Sequence, residues 1–330
     1  MRMIFLAGAI GVALLVALML WYGIPDIAAA VASTRWGLAL VVVARIVQMI
    51  AAGLAWRVLL PKGIIPPPAI FVLLRWIRES INNLLPVAQV GGEFAGARLL
   101  SSFGVRGGLA GASVLVDMLV QVTTQLLFAA VGIAALAEFG ASATLVRTAT
   151  AGVAVLAPGI FGFYLMQRLG GFGWIERRIV PFAQRWNWLP AGQGGVLDAH
   201  LQALFNARRK LAMAAIIHLA TWFFGASEIW IALVFMGEPA SYTEALVIES
   251  LGQAIRAAAF AVPGGIGVQE GGYVVLCSVF GLSPQVAIAL SLVKRVAELV
   301  LGLPGLLAWQ SVERRLVLRR SMSAHRSQGS

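Results

Sequence analysis

Two stretches decide how this chain is read: Pro86-Val-Ala-Gln-Val-Gly-Gly-Glu93, which runs on to Phe103-Gly104, and Pro263-Gly-Gly-Ile-Gly-Val-Gln-Glu270, which runs on to Phe280-Gly281. Laid over one another without gaps, they bring together Pro86 and Pro263, Glu93 and Glu270, Leu99 and Leu276, Ser101 and Ser278, Phe103 and Phe280, and Gly104 and Gly281. Nine of thirty aligned positions (86–115 against 263–292) are identical. Proline and glycine interrupting a hydrophobic segment at corresponding places in two halves point to the broken helices around which secondary transporters build a binding site.

The composition around them is that of a helical membrane protein. The chain has 330 residues, of which 60% are hydrophobic and 12% charged, with a mean hydropathy of +0.87. A soluble domain cannot cover that much apolar surface. The alternating pattern of an outer-membrane barrel is absent, and the longest polar-leaning stretch, about residues 167–210, is too short for a catalytic domain. The fold class expected is an all-α polytopic membrane protein, a single transmembrane domain over residues 1–330. The formal net charge is +11, and the positive residues sit in loop ends and the tail, where they face anionic lipid rather than nucleic acid. Cys277 stands alone and reads as a small buried hydrophobe; the three histidines show no metal spacing. No metal or cofactor is expected.

Uninterrupted apolar segments fall at about 3–22, 36–59, 108–137, 143–166, 211–236 and 284–310, each long enough for the roughly 20 residues that cross a bilayer. The first lacks a small-residue cleavage site and reads as a membrane helix, not a signal peptide. Arg and Lys gather after the second span, between the fourth and fifth, and in the tail 313–330, which places both termini in the cytoplasm. About 66–103 and about 242–281 then become re-entrant hairpins entering from opposite faces. The expected architecture is therefore six full spans plus two hairpins related as an inverted repeat, about 36–137 and about 211–310. A segment at about 172–188 carries Ile175, Ile179, Phe182 and Trp186 on one helical face, which suits a helix lying on the inner leaflet; an ordinary basic loop is the alternative.

A carboxylate in mid-membrane costs roughly 2.5–3.5 kcal/mol on insertion scales, so Glu93 and Glu270 read as substrate-site residues, with a buried structural salt bridge as the alternative. The glycines before each Glu can present free N–H groups to an anionic head. Arg45, Arg75, Arg78, Arg256 and Arg295 are intramembrane cations suited to bidentate contact with phosphate. Asp117, Gln121 and Gln125 share one helix face and line a polar path or tie helices together. Lys294 and Glu298, one turn apart, are placed to pair with each other, and Asp117 and Lys294 across the two halves make another candidate pair.

The second hairpin, Pro263 to Glu270 with Gly281-Leu-Ser-Pro284 and Lys294-Arg295, resembles the bacterial flippase-like family that includes the transmembrane region of lysylphosphatidylglycerol synthases. The first hairpin, Asn82-Asn83-Leu-Leu-Pro86 to Gly92-Glu93, resembles that family's other signature. The wording around Pro263–Gly272 is similar to the branch encoded with hopanoid biosynthesis. The resemblance implies movement of polar lipids between leaflets of the bacterial inner membrane. It carries a site over onto Glu93, Pro263, Gly264, Gly265, Gly267, Glu270 and Arg295; Pro86, Arg45, Arg75, Arg78 and Arg256 complete the candidate substrate-binding set. The synthases' soluble lysyl-transferring domain is missing, so aminoacyl-lipid synthesis is not expected.

The expected function is thus a lipid translocase and not an enzyme, with membrane lipids of anionic or polar head, hopanoids among them, as its partners. The alternatives are a non-catalytic partner of a lipid (hopanoid) biosynthesis complex and an intramembrane lipid-modifying enzyme. The last would need a catalytic set that the three aspartates, Asp26, Asp117 and Asp198, do not supply.

Overall fold

The structure, a computed structural model, describes residues 2–61, 63, 65–85, 90–168, 197–259, 262 and 265–328. Pro86, Pro263, Gly264 and the amphipathic stretch 172–188 lie outside the described residues. Those described are all helical where they are regular: α1 (Arg2–Tyr22), α2 (Ile24–Ser33), α3 (Gly37–Leu59), α4 (Pro68–Leu84), α5 (Gly91–Ser102), α6 (Gly107–Glu138), α7 (Ala143–Arg168), α8 (Leu197–Asn206), α9 (Arg208–Met236), α10 (Tyr242–Ala258), α11 (Val268–Val279) and α12 (Pro284–Gln328). Of these, α3, α6 and α9 are each long and apolar enough to cross a membrane; α1 and α2 meet that test together, bent by 94° at Gly23. The outward-facing side chains are apolar as well, among them Ile216, Leu307, Leu303 and Leu127, each more than half exposed. Such a surface is stable against lipid, not water.

Two sets of four helices, α3-α4-α5-α6 and α9-α10-α11-α12, carry the same order of long helix, broken pair and long helix. The leading arms α4 and α10 are both 17 residues, and the trailing arms α5 and α11 both 12. The same offset of 177 residues relates the ends of α3 and α9 (59 and 236), both ends of α5 and α11 (91 and 268, 102 and 279), and the starts of α6 and α12 (107 and 284).

Local chemistry explains these boundaries. The coincident Phe-Gly pairs are helix stops: Gly104 (φ +96°) and Gly281 (φ +72°) take the left-handed conformation that turns the chain out of α5 and α11. α4 begins after Pro66-Pro67 with Pro68 at its first position, where no N–H is needed. α10 opens with a capping box in which Ser241 Oγ accepts from the Glu244 N–H at 3.2 Å and the Ser241 N–H donates back to Glu244 at 2.6 Å.

The two units interlock. α3 packs against α9, α6 lies over the leading arm α10, and α12 lies over the leading arm α4. Both crossings are made where a glycine meets a serine: Gly132 of α6 on Ser250 of α10, and Gly305 of α12 on Ser80 of α4. Small residues let helix backbones approach closely when lipid supplies no hydrophobic drive for association. One apolar core gathers around Trp56, Phe71, Leu74, Ile77 and Leu99 in the first unit, another around Ile229, Val247, Tyr273, Leu276 and Leu290 in the second.

Candidate functional site: a charged cavity between two broken hairpins

A cavity of about 340 Å³ takes its walls from both units. The first hairpin contributes Arg75, Arg78, Glu79, Asn82, Asn83 and Glu93; the second contributes Glu249, Gln253 and Arg256; α3, α6, α9 and α12 add Arg45, Gln121, His218, Glu228 and Glu298 among others. The two leading arms touch at its edge, where Arg256 Nη2 donates to Asn83 Oδ1 at 3.0 Å.

On the first hairpin's side, Arg78 is 1% exposed and lies over the Trp56 ring at 4.7 Å. Its Nη1 reaches Asp117 Oδ2 at 2.9 Å and its Nη2 forms a close ion pair with Glu93. Asp117, fully buried, also takes Arg75 at 3.6 Å and His218 Nε2 at 3.0 Å. Arg75 continues to Glu79 at 2.7 Å and Gln121 at 2.9 Å. Gly92, just before Glu93, serves close approach: its N–H donates to Asn82 Oδ1 at 2.8 Å, with no room for a side chain against the α4 backbone.

On the second unit's side, Arg45 grips Glu228 with Nε at 3.3 Å and Nη2 at 2.9 Å, and its Nη1 meets Glu298 at 3.1 Å. Gln48 donates to Glu228 as well. Arg256 Nη1 meets the same Glu298 oxygen at 2.5 Å. Lys294 pairs closely with Glu249 and lies 3.8 Å from Glu228. Two expectations are corrected here. Lys294 and Glu298 do not join each other, because each finds a carboxylate or a guanidinium on another helix. Asp117 and Lys294 do not pair across the halves either. Each instead binds its own unit's leading arm: Asp117 meets Arg75, and Lys294 meets Glu249, with the signs exchanged. An ion drawn from water is stable in a dry interior only with a well-placed counter-ion, which explains the pairing.

Of the sequence-derived candidates, Glu93, Arg45, Arg75, Arg78 and Arg256 come together in the cavity wall. Glu270 and Arg295 do not line it. Glu270 is fully buried; its Oε1 takes Arg295 Nε at 2.6 Å and Ser291 Oγ at 2.8 Å, and its Oε2 takes the Gly267 N–H at 2.6 Å. Gly265 (φ +65°) and Gly267 (φ +80°) shape the turn into α11.

Residues 5–305 match the family model described as lysylphosphatidylglycerol synthase TM region. The chain belongs to that family. No curated protein and no solved structure shows a significant match to it. The family region runs from α1 into α12, so it takes in both hairpins and every residue of the cavity, and it ties the chain to membrane lipid metabolism or transport. Among the cavity residues of this lysylphosphatidylglycerol synthase TM-region protein that the sequence reading did not single out are Gln48, Glu79, His218, Glu228, Glu249 and Gln253. Glu228 and His218 stand out in the apolar run of α9 that follows Arg208, Arg209 and Lys210, and a polar side chain in such a setting is the signal that finds them.

Proposed function

We propose that this protein is a lipid translocase of the bacterial inner membrane. It would carry the polar head of a lipid through the cavity between its hairpins while the acyl chains stay against the apolar exterior. In this reading α1, α7 and α12 span the bilayer along with α3, α6 and α9, the two hairpins enter from opposite faces as an inverted repeat, and both termini lie in the cytoplasm. The observation that carries it is the cavity itself. At about 340 Å³ it is head-sized rather than lipid-sized, its walls are charged, and they belong to both units, so that tilting one against the other re-aims the opening. The chain acts here as a carrier and not as an enzyme. Its partners are anionic or polar-headed membrane lipids, and the hopanoid-like wording around Pro263–Gly272 makes a polar hopanoid one candidate.

The test uses purified protein in liposomes carrying fluorescent lipids that differ only in head group, with a membrane-impermeant quencher added outside. Head-group-selective loss of the inner-leaflet signal is expected. Loss no faster than in empty vesicles, for every head group, refutes the reading. A non-catalytic role within a lipid (hopanoid) biosynthesis complex is favoured by one observation, that the cavity arginines are all engaged by carboxylates. Under that role Glu93→Gln leaves function in cells intact.

A further inference from the structure

Two pairs of arginines close on carboxylate oxygens around the cavity, and they differ in one respect. Arg75 and Arg78 converge on Asp117 Oδ2, but Asp117 is fully buried, holds His218 on its other oxygen, and is not part of the cavity wall. Arg45 and Arg256 converge on Glu298 Oε1, at 3.1 and 2.5 Å, and all three side chains line the cavity. The first is a sealed knot; the second is a clamp on the accessible wall.

The members of this clamp come from both units, so that in the translocase reading Arg45 moves relative to Arg256 and Glu298. Arg45 stands on α3, Arg256 on the second hairpin's leading arm, and Glu298 on α12. Both guanidiniums meet one carboxylate oxygen instead of one on each. Arg45 gives Nε and Nη2 to Glu228 and Arg256 gives Nη2 to Asn83, so each brings its Nη1 to the clamp. Two such donors converging from different helices suit a phosphate, which offers two terminal oxygens as a diester and three as a monoester, better than a single carboxylate oxygen. The stem of Arg256 lies against Gly265, the left-handed glycine of the second break: a Cβ there would come within 3.3 Å of Arg256 Cγ. A change of angle at the break is therefore felt at the clamp. A displaced Glu298 would not be left a lone buried charge, since Arg295 lies near enough on the same helix to interact with it.

We infer that Glu298 is an internal counter-ion that holds the Arg45–Arg256 clamp shut, and that the phosphate of a lipid head takes its place during transport. This rests on the translocase reading. It makes Glu298 a specificity-determining residue, and it narrows the substrates of that reading to phosphate-headed lipids, setting aside a hopanoid whose polar head carries no phosphate.

The experiment measures binding to purified wild type and Glu298→Gln, with three probes: dihexanoyl phosphatidic acid, inorganic phosphate, and a phosphate-free neutral glycolipid of matching chain length. Removing the counter-ion is expected to tighten phosphatidic acid binding on the order of tenfold and leave the glycolipid unchanged. Inorganic phosphate should gain much less, because it brings no acyl chains. Glu313→Gln also removes a carboxylate from an arginine pair, Arg98–Glu313, outside the cavity wall; it is expected to change none of the three and so separates the clamp from a general effect of net charge. If Glu298→Gln does not fold, Glu298→Asp, which draws the carboxylate back by one methylene, is expected to shift binding in the same direction by a smaller factor. Unchanged or weaker phosphatidic acid binding in a folded variant overturns the inference, and so does an equal gain by inorganic phosphate. A wild type that moves lipid while Glu298→Gln binds no tighter sinks this inference alone; a wild type that moves no lipid sinks the translocase reading instead.

Discussion

Gly92 is the most constrained point of the first hairpin, and replacing it by alanine gives a sharp test of how α5 sits on α4. A Cβ at position 92 would lie 2.3 Å from the carbonyl oxygen of Arg78 and 2.8 Å from Asn82 Oδ1. Ordinary contact begins near 3.4 Å, so α5 would have to retreat by about 1 Å from a neighbour that is backbone and cannot rotate away. That retreat strains the Gly92 N–H bond to Asn82 and pulls Glu93 from Arg78. Overpacking against backbone costs about 1–3 kcal/mol, the hydrogen bond adds about 1 kcal/mol, and loosening a buried ion pair adds more. A loss on the order of 3–5 kcal/mol is expected, or about 5–10 °C in the thermal midpoint of purified protein. Gly271, in the first turn of α11, supplies the contrast: a Cβ there meets nothing within 4 Å. Gly271→Ala should be neutral or raise stability by up to about 1 kcal/mol, through helix propensity alone. Thermal unfolding of the two variants side by side decides the matter. If Gly92→Ala melts with Gly271→Ala, the close seating of α5 on α4 is wrong.

The sealed knot on Asp117 should be far less forgiving than its single charge suggests. Asp117→Asn leaves Arg75, Arg78 and His218 around a neutral amide and should cost about 3–5 kcal/mol, read as loss of the monodisperse peak on size exclusion; wild-type behaviour would contradict the geometry. The Glu249–Lys294 pair offers a double-mutant cycle. Glu249→Leu and Lys294→Met each strand a buried charge, whereas the double variant removes both, so the double should be more stable than the sum of the singles by on the order of 2 kcal/mol; simple additivity would mean that the two do not interact.

The interruptions between α4 and α5 and between α10 and α11, and the stops at the ends of α5 and α11, could be read from sequence because their causes are local. Phe103-Gly104 and Phe280-Gly281 are turns written in the residues themselves, and proline before glycine marks a helix end anywhere in a chain. Of the six apolar segments, those that form α3, α6 and α9 were likewise legible as helices able to cross a membrane, since a run of apolar residues fixes such a helix by composition. What stayed hidden depends on partners distant in the chain. No spacing rule says that Lys294 reaches across to Glu249 when Glu298 stands one turn away, or that Arg45 holds carboxylates of both α9 and α12. The 94° bend at Gly23 was hidden for another reason: Ile24–Ser33 is short and apolar, and it passes for an extension of α1 or for a loop. Helix α12 runs on through Gln328 where apolar periodicity stops near residue 310, and Glu313 in that extension is held by Arg98 at 2.6 Å.

The exchange of final helices between the two units sets an order on biogenesis. When α4 and α5 leave the ribosome, the flank of α4 bearing Trp76 and Ser80 has no cover, because Gly305 and the Leu301 carbonyl that accepts from Trp76 at 2.7 Å lie more than 200 residues downstream. The first half must therefore wait in the bilayer with a groove open until the last helix arrives to close it. Neither half expressed alone should settle into its final shape, and both should do so when made together.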